Sequence, residues 1–192
     1  MKRAIFLFVA LLVGADSAGA EADAALKAGI FTPARMAPDF ALRGSDGAEL
    51  KLSRYRGKVV LLGFGFTSCA EVCPITLATL AQASKRLGAL ANELQVVYIT
   101  VDPERDDAAR MKKYLAAFDP AFIGGTGSAE QLAAVRKEYG ILAAKKVGAD
   151  GSYSHSSFVY LIDREGRLRA LMTYGRAADD YVHDVRILLG AP

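Results

Sequence analysis

Residues 58–74 read KVVLLGFGFTSCAEVCP, an apolar run that ends in two cysteines and a proline. From Lys58 to Phe66 nearly every side chain is apolar. A strand apolar on both faces belongs in the middle of a sheet covered on both sides. A helical pattern follows from Cys73 to about Leu90. Pro74 falls in its first turn, where the missing N–H has no intrahelical partner to lose. Leu94 to Val101 (LQVVYITV) reads as a second buried strand, and Asp102-Pro103 ends it. Strand, helix and strand in this order predict a βαβ unit with parallel strands. Cys69 and Cys73 then lie just past the carboxyl end of the central strand, the edge at which ligands of open α/β sheets gather.

Upstream, Phe40-Ala41-Leu42 and Glu49-Leu50-Lys51-Leu52 flank Gly44-Ser45-Asp46-Gly47, which predicts an N-terminal β-hairpin. Downstream, Arg105 to Phe118 reads as a helix, and so does Ala129 to Tyr139 behind Ser128 as N-cap. Gly140 to Tyr153 is weakly patterned. Phe158 to Ile162 and Leu168 to Tyr174 read as strands joined through Asp163-Arg164-Glu165-Gly166, and Ala177 to Leu189 as a closing helix. Strands alternating with helices predict an α/β fold, a three-layer sandwich around a central mixed sheet. A βαβ unit, a helical segment and a final ββα unit is the thioredoxin-like order.

The chain has 192 residues, enough for one well-packed domain and its processing segments. Met1-Lys2-Arg3, the apolar run Ala4 to Val13 and the small residues Ala18-Gly19-Ala20 have the layout of a cleavable export signal over residues 1–20. Ten apolar residues are too few to span a bilayer, which takes roughly 20. The Ala-rich residues 21–36 show no period and read as a flexible leader, leaving 37–192 as the domain. The formal charge of +3 loses Lys2, Arg3 and Asp16 with the signal and falls to +2. No cluster of Lys and Arg stands out, so nothing points to nucleic acid. Export leads to an oxidising compartment, such as a periplasm.

Two cysteines four positions apart are too few and too close to brace a fold. At a helix start, free backbone N–H groups and the helix dipole are expected to favour thiolate. Positions i and i+4 of a helix share a face, so C-x-x-x-C can aim both sulfurs at one point. Thiolate is a soft metal ligand that selects Cu(I), Zn(II) or an iron–sulfur cluster. Two thiolates fall short of the four ligands that a cluster or a closed structural zinc site takes. A third candidate is His155, in Tyr153-Ser154-His155-Ser156-Ser157 just before a strand. In a thioredoxin-like fold the loop entering that strand faces the cysteines. Disulfide reductases of that fold usually carry a cis-proline there, whereas this chain has no proline between Pro120 and Pro192. Two thiolates and one imidazole suit Cu(I), or Cu(II) completed by an oxygen, and by ligand type also allow zinc with an open position. His183 falls off the apolar stripe of the last helix and reads as solvent-exposed.

Phe64-Gly65-Phe66-Thr67-Ser68-Cys69-Ala70-Glu71-Val72-Cys73-Pro74 resembles the signature of the SCO/SenC family of copper chaperones. Pro38-Asp39-Phe40, Val101-Asp102-Pro103-Glu104-Arg105-Asp106, Phe122 to Ser128 and His155-Ser156 followed by Tyr160-Leu161-Ile162-Asp163 resemble the rest of its pattern, in order, over about residues 38–175. The resemblance implies a thioredoxin fold and one copper ion held by Cys69, Cys73 and His155. It further implies delivery of copper to the dinuclear copper A centre of a cytochrome c oxidase subunit, or reduction of that centre's cysteines. A copper donor or thiol reductant in the same exported compartment would be a further partner. Many members carry Asp directly before the histidine, and here that residue is Ser154. Asp102 is read as ending its strand and capping the next turn, not as a ligand. Two other functions share the fold. A thiol–disulfide reductase would use Cys69 and Cys73 alone. A peroxiredoxin-type peroxidase would carry a threonine three places before its cysteine, where this chain has Phe66.

Overall fold

The computed structural model describes residues 25–145 and 153–191. The expected export signal lies outside them. Strand β1 is Gly29–Met36, β2 Ala41–Gly44, β3 Glu49–Lys51, β4 Val59–Gly65 and β5 Leu94–Thr100. Strand β6 is Ile123–Thr126, β7 Ala143–Lys145, β8 Tyr153–His155, β9 Phe158–Ile162 and β10 Arg167–Thr173. Helix α1 is Val72–Leu87, α2 Ala108–Ala116, α3 Ala129–Glu138 and α4 Ala178–Leu189. The main sheet has the order β1-β10-β9-β4-β5-β6-β2-β3, and β7 pairs with β8 apart from it.

All seven residues of β4 are buried, as its two-faced apolar pattern requires. It pairs in parallel with β5, Val59 opposite Leu94 through Gly65 opposite Thr100, and antiparallel with β9. β5 pairs in parallel with β6, so the centre of the sheet is mixed as expected. Helix α1 packs against α4, and α2 packs against β6. Leu61, Leu62, Leu77, Leu80 and Ile99 are fully buried where these layers meet. Each such side chain contributes about 1.5–3 kcal/mol by leaving water.

Helix boundaries follow local chemistry. Gly88, at φ +59°, ends α1 three residues earlier than its apolar pattern suggests. The Asp107 side chain accepts from Arg110 N at 2.7 Å, so α2 begins at Ala108 rather than Arg105. Ser128 caps α3 as expected, in a reciprocal pair with Gln131.

Two strands depart from the sequence reading. The leader expected over 21–36 is partly β1, whose Gly29–Met36 pairs antiparallel with β10. Its residues are exposed or half-buried at every position, so an apolar period never arises to announce it. β6 contains Gly124 and Gly125, in a stretch to which the sequence pattern gave no strand. A side chain at either would overlap neighbours: a Cβ on Gly124 would lie 2.9 Å from Met111 Cβ, and one on Gly125 2.8 Å from Leu50 Cδ2. The predicted hairpin is β2–β3, and it attaches to the sheet through β6.

Candidate metal centre

The carboxyl end of β4 runs straight into the cysteine loop. Cys69 N donates to Phe66 O at 3.2 Å, closing a turn over Thr67 and Ser68. That turn is anchored from below by Asp106, which is fully buried. The Asp106 carboxylate accepts from Thr67 N at 2.9 Å, Thr67 Oγ1 at 2.5 Å and Thr100 Oγ1 at 2.7 Å. It therefore ties the loop to the end of β5. Arg110 reaches over the outside, donating to Thr67 Oγ1 at 2.7 Å and Ser68 Oγ at 2.9 Å.

The two sulfurs meet by a different route from the one their spacing suggests. Helix α1 begins only at Val72, with Glu71 as N-cap, so Cys69 lies in the loop and only Cys73 is helical. Cys69 Sγ accepts from Cys73 N at 3.4 Å, so one of the free N–H groups at the helix start does point at a sulfur. The cysteines are unlinked, Cys69 half-buried and Cys73 1% exposed. Burial pushes the Cys73 thiol up to about 12, against the lowering influence of the Tyr98 phenol. The expectation of a depressed thiol fails here because desolvation of a buried sulfur outweighs the helix terminus. A metal must displace the Cys73 proton to bind there.

His155 ends β8, and β8 is held in place by β7, with His155 opposite Ala143. Ser156 N donates to Leu142 O at 2.9 Å just beyond it. His155 Nε2 lies 3.5 Å from Cys73 Sγ. Its Nδ1 is 2.9 Å from Ser156 O. A carbonyl only accepts, so Nδ1 carries the proton and Nε2 offers its lone pair to the sulfurs. This contact supplies the orientation that Ser154 does not. Burial lowers the His155 pKa, the Ser156 bond raises it in part, and the neutral ring is favoured. The Phe66 ring meets the imidazole edge-on, centroids 5.9 Å apart, and Arg105 Cζ lies over that same Phe66 ring, 5.9 Å from its centroid.

Cys69 Sγ, Cys73 Sγ and a ring nitrogen of His155 thus lie within 4.8 Å of one another. The sequence placed these three together, and the structure brings them together. His183 stands apart from this group, its Nδ1 2.9 Å from Asp184 Oδ1 and its side chain 40% exposed, less open than expected. Asp102 does end β5, but its side chain holds Arg105 Nε rather than a backbone N–H of the following turn. Sequence reasoning missed Asp106, although it quoted the Asp102–Asp106 stretch.

The SCO1/SenC family matches residues 30–190. A mitochondrial SCO2 homologue of Mus musculus is 36% identical over 153 residues, covering 77% of this chain and 60% of that protein. This chain thus spans about three fifths of that relative. The copper-bound crystal structure of Arabidopsis thaliana ScoI superposes with a TM-score of 0.74 at 29% identity, over 80% of this chain and 98% of that one. The solution structure of apo Sco1 from Thermus thermophilus gives 0.77 at 35% identity, over 85% and 97%. With the match running from β1 to the last helix, and the fold superposing on solved relatives over four fifths or more of its length, the chain belongs to the SCO1/SenC family.

Proposed function

We propose that this chain is a copper metallochaperone that carries one copper ion on Cys69, Cys73 and His155. The observation that supports it most is the convergence of two sulfurs and one oriented imidazole nitrogen within 4.8 Å. Two thiolates and a neutral imidazole form a soft, low-coordinate set that favours Cu(I) over harder ions. Likeness to a copper-bound relative supports copper over zinc. The acceptor we propose is the dinuclear copper A site of an oxidase subunit, reached in an exported compartment such as the periplasm. No helix among the described residues is long and apolar enough to cross a membrane.

The three ligands differ in access. Cys69 and His155 are half-buried and Cys73 is closed off. An incoming thiolate or imidazole of an acceptor would displace Cys69 or His155 first and Cys73 last. The reverse order loads the protein, with the Cys73 proton leaving as the metal arrives.

The experiment is titration of the reduced protein with Cu(I) against a competing chelator. One ion per chain is expected. Cys69→Ser, Cys73→Ser and His155→Ala should each weaken binding by more than about 100-fold, beyond what loss of an outer contact does. Unaltered copper affinity in a folded His155→Ala protein would overturn the reading.

The unequal access also favours a second activity, reduction of partner disulfides. Cys69 thiolate would attack the partner disulfide, forming a mixed disulfide and releasing one partner thiol. Cys73 would then attack the Cys69 sulfur, releasing the second thiol and leaving a Cys69–Cys73 disulfide, two electrons having passed to the partner. That activity should survive His155→Ala and vanish in Cys69→Ser, which separates it from copper carriage.

A further inference from the structure

Behind the sulfurs, on the side away from solvent, lies a phenol. Tyr98 on β5 is 2% exposed and is among the largest fully buried side chains. It sits directly opposite Gly63 in the β4–β5 register. A Cβ on Gly63 would lie 2.8 Å from both Cδ2 and Cε2 of the Tyr98 ring. A Cβ on Gly65 would lie 2.1 Å from Tyr98 Oη and 2.7 Å from Cys73 Sγ. The alternation Gly63-Phe64-Gly65 thus leaves one face of β4 bare. The Tyr98 ring lies along that bare face, and its hydroxyl arrives at the buried sulfur. Neither glycine has a positive φ, so both are explained by the approach of the ring and not by backbone geometry.

The hydroxyl and the sulfur flank the same point above Gly65, so the phenol O–H lies beside Cys73 Sγ and can donate to it. A phenol carries one O–H to donate, and this one is shut away from water. Cys69 Sγ accepts instead from the Cys73 N–H.

We propose that Tyr98 is a positioning residue for the metal site, its hydroxyl donating to Cys73 Sγ from inside the core and so favouring bound Cu(I) over Cu(II). This rests on the copper reading of Cys69, Cys73 and His155. Two thiolates and Cu(I) carry a net charge of −1, whereas two thiolates and Cu(II) are neutral. A donor fixed against one of the sulfurs stabilises the more negative complex more. Hydrogen bonding around a ligating sulfur is a recognised control of metal potential. Copper would therefore be held in the form that exchanges between thiolate sites without electron transfer.

The test is Tyr98→Phe, which keeps the ring and removes the hydroxyl. Three quantities are read on purified protein beside the wild type: Cu(I) affinity, Cu(II) affinity, and the thiolate-to-Cu(II) charge-transfer band. The variant should bind one copper, and its preference for Cu(I) over Cu(II) should fall about tenfold, which for one electron is about 59 mV. The band should move to longer wavelength, because a sulfur without its donor gives up charge more easily. A ring-filling role alone would not move the band. If Tyr98→Phe fails to fold, a ring-fluorinated tyrosine at position 98 takes its place. It is a stronger donor of nearly the same shape and should shift both readouts the opposite way. A wild-type band that neither substitution moves overturns this proposal alone. Absence of any thiolate–copper band in the wild type overturns the metal reading as well.

Discussion

Asp106 shows how one side chain can set a site it does not line. It is fully buried, and its two oxygens take three hydrogen bonds from Thr67 and Thr100. Thr67 is two residues before Cys69, so the carboxylate fixes where the cysteine loop leaves the sheet. Asp106→Asn would turn an amide N–H₂ toward donors and leave at least one of them unsatisfied. We expect a loss of about 1–3 kcal/mol in urea unfolding. Copper affinity should fall as well, although Asp106 is no ligand. The contact between His155 Nδ1 and Ser156 O belongs to the same class, because it sets the orientation of a ligand from outside. Such roles were not legible in the sequence. A carboxylate six residues past a strand carries no such mark until its partner Thr67, 39 positions away along the chain, is seen.

At the scale of elements, the fit between β4 and β5 is what brings the ends of two strands to one place. β4 read plainly as a central strand, because seven consecutive buried positions leave an unbroken apolar record. Its glycines carried a second message, that a large neighbour lies across them. Gly65→Ala should therefore be costly. The new methyl would overlap Tyr98 Oη and Cys73 Sγ, and neither is the free end of a flexible chain. Overpacking of this kind costs about 1–3 kcal/mol. A lowered urea midpoint with an unchanged slope would show it. The β7–β8 pair is a smaller case. It comes from the stretch that sequence patterning left unassigned, yet it carries His155 to the cysteines. Three-residue strands bury too little for periodicity to betray them.

For the whole molecule, the N-terminal strand is the element most dependent on long-range contacts. β1 lies at the sheet edge, three strands from β4, with little burial of its own. Its approach is pinned by Asp184 on α4, which accepts from Lys27 N at 2.8 Å and Ala28 N at 2.9 Å. Asp184→Ala would leave two backbone donors without that partner. We expect a loss of about 1–3 kcal/mol and faster amide exchange across Gly29–Met36. Copper binding should be unchanged, because the cysteines follow β4, three strands along the sheet from β1. Coupled loss of copper affinity would show that the edge strand and the metal site form one cooperative unit.

Read alone, the chain fixed what depends on neighbours in sequence. The buried central strands, the capped third helix, the family signature around Cys69 and Cys73 and the candidacy of His155 all leave local marks, because burial and capping select residue types at short range. Tertiary structure decided what depends on residues far apart in the chain. It raised the Cys73 thiol by burying it, made a strand of the expected leader, and turned Asp106 and Tyr98 toward the cysteine loop. The physical reason is that desolvation, edge pairing and a hydrogen bond from the core are properties of a surrounding, and a surrounding exists only once the sheet has closed.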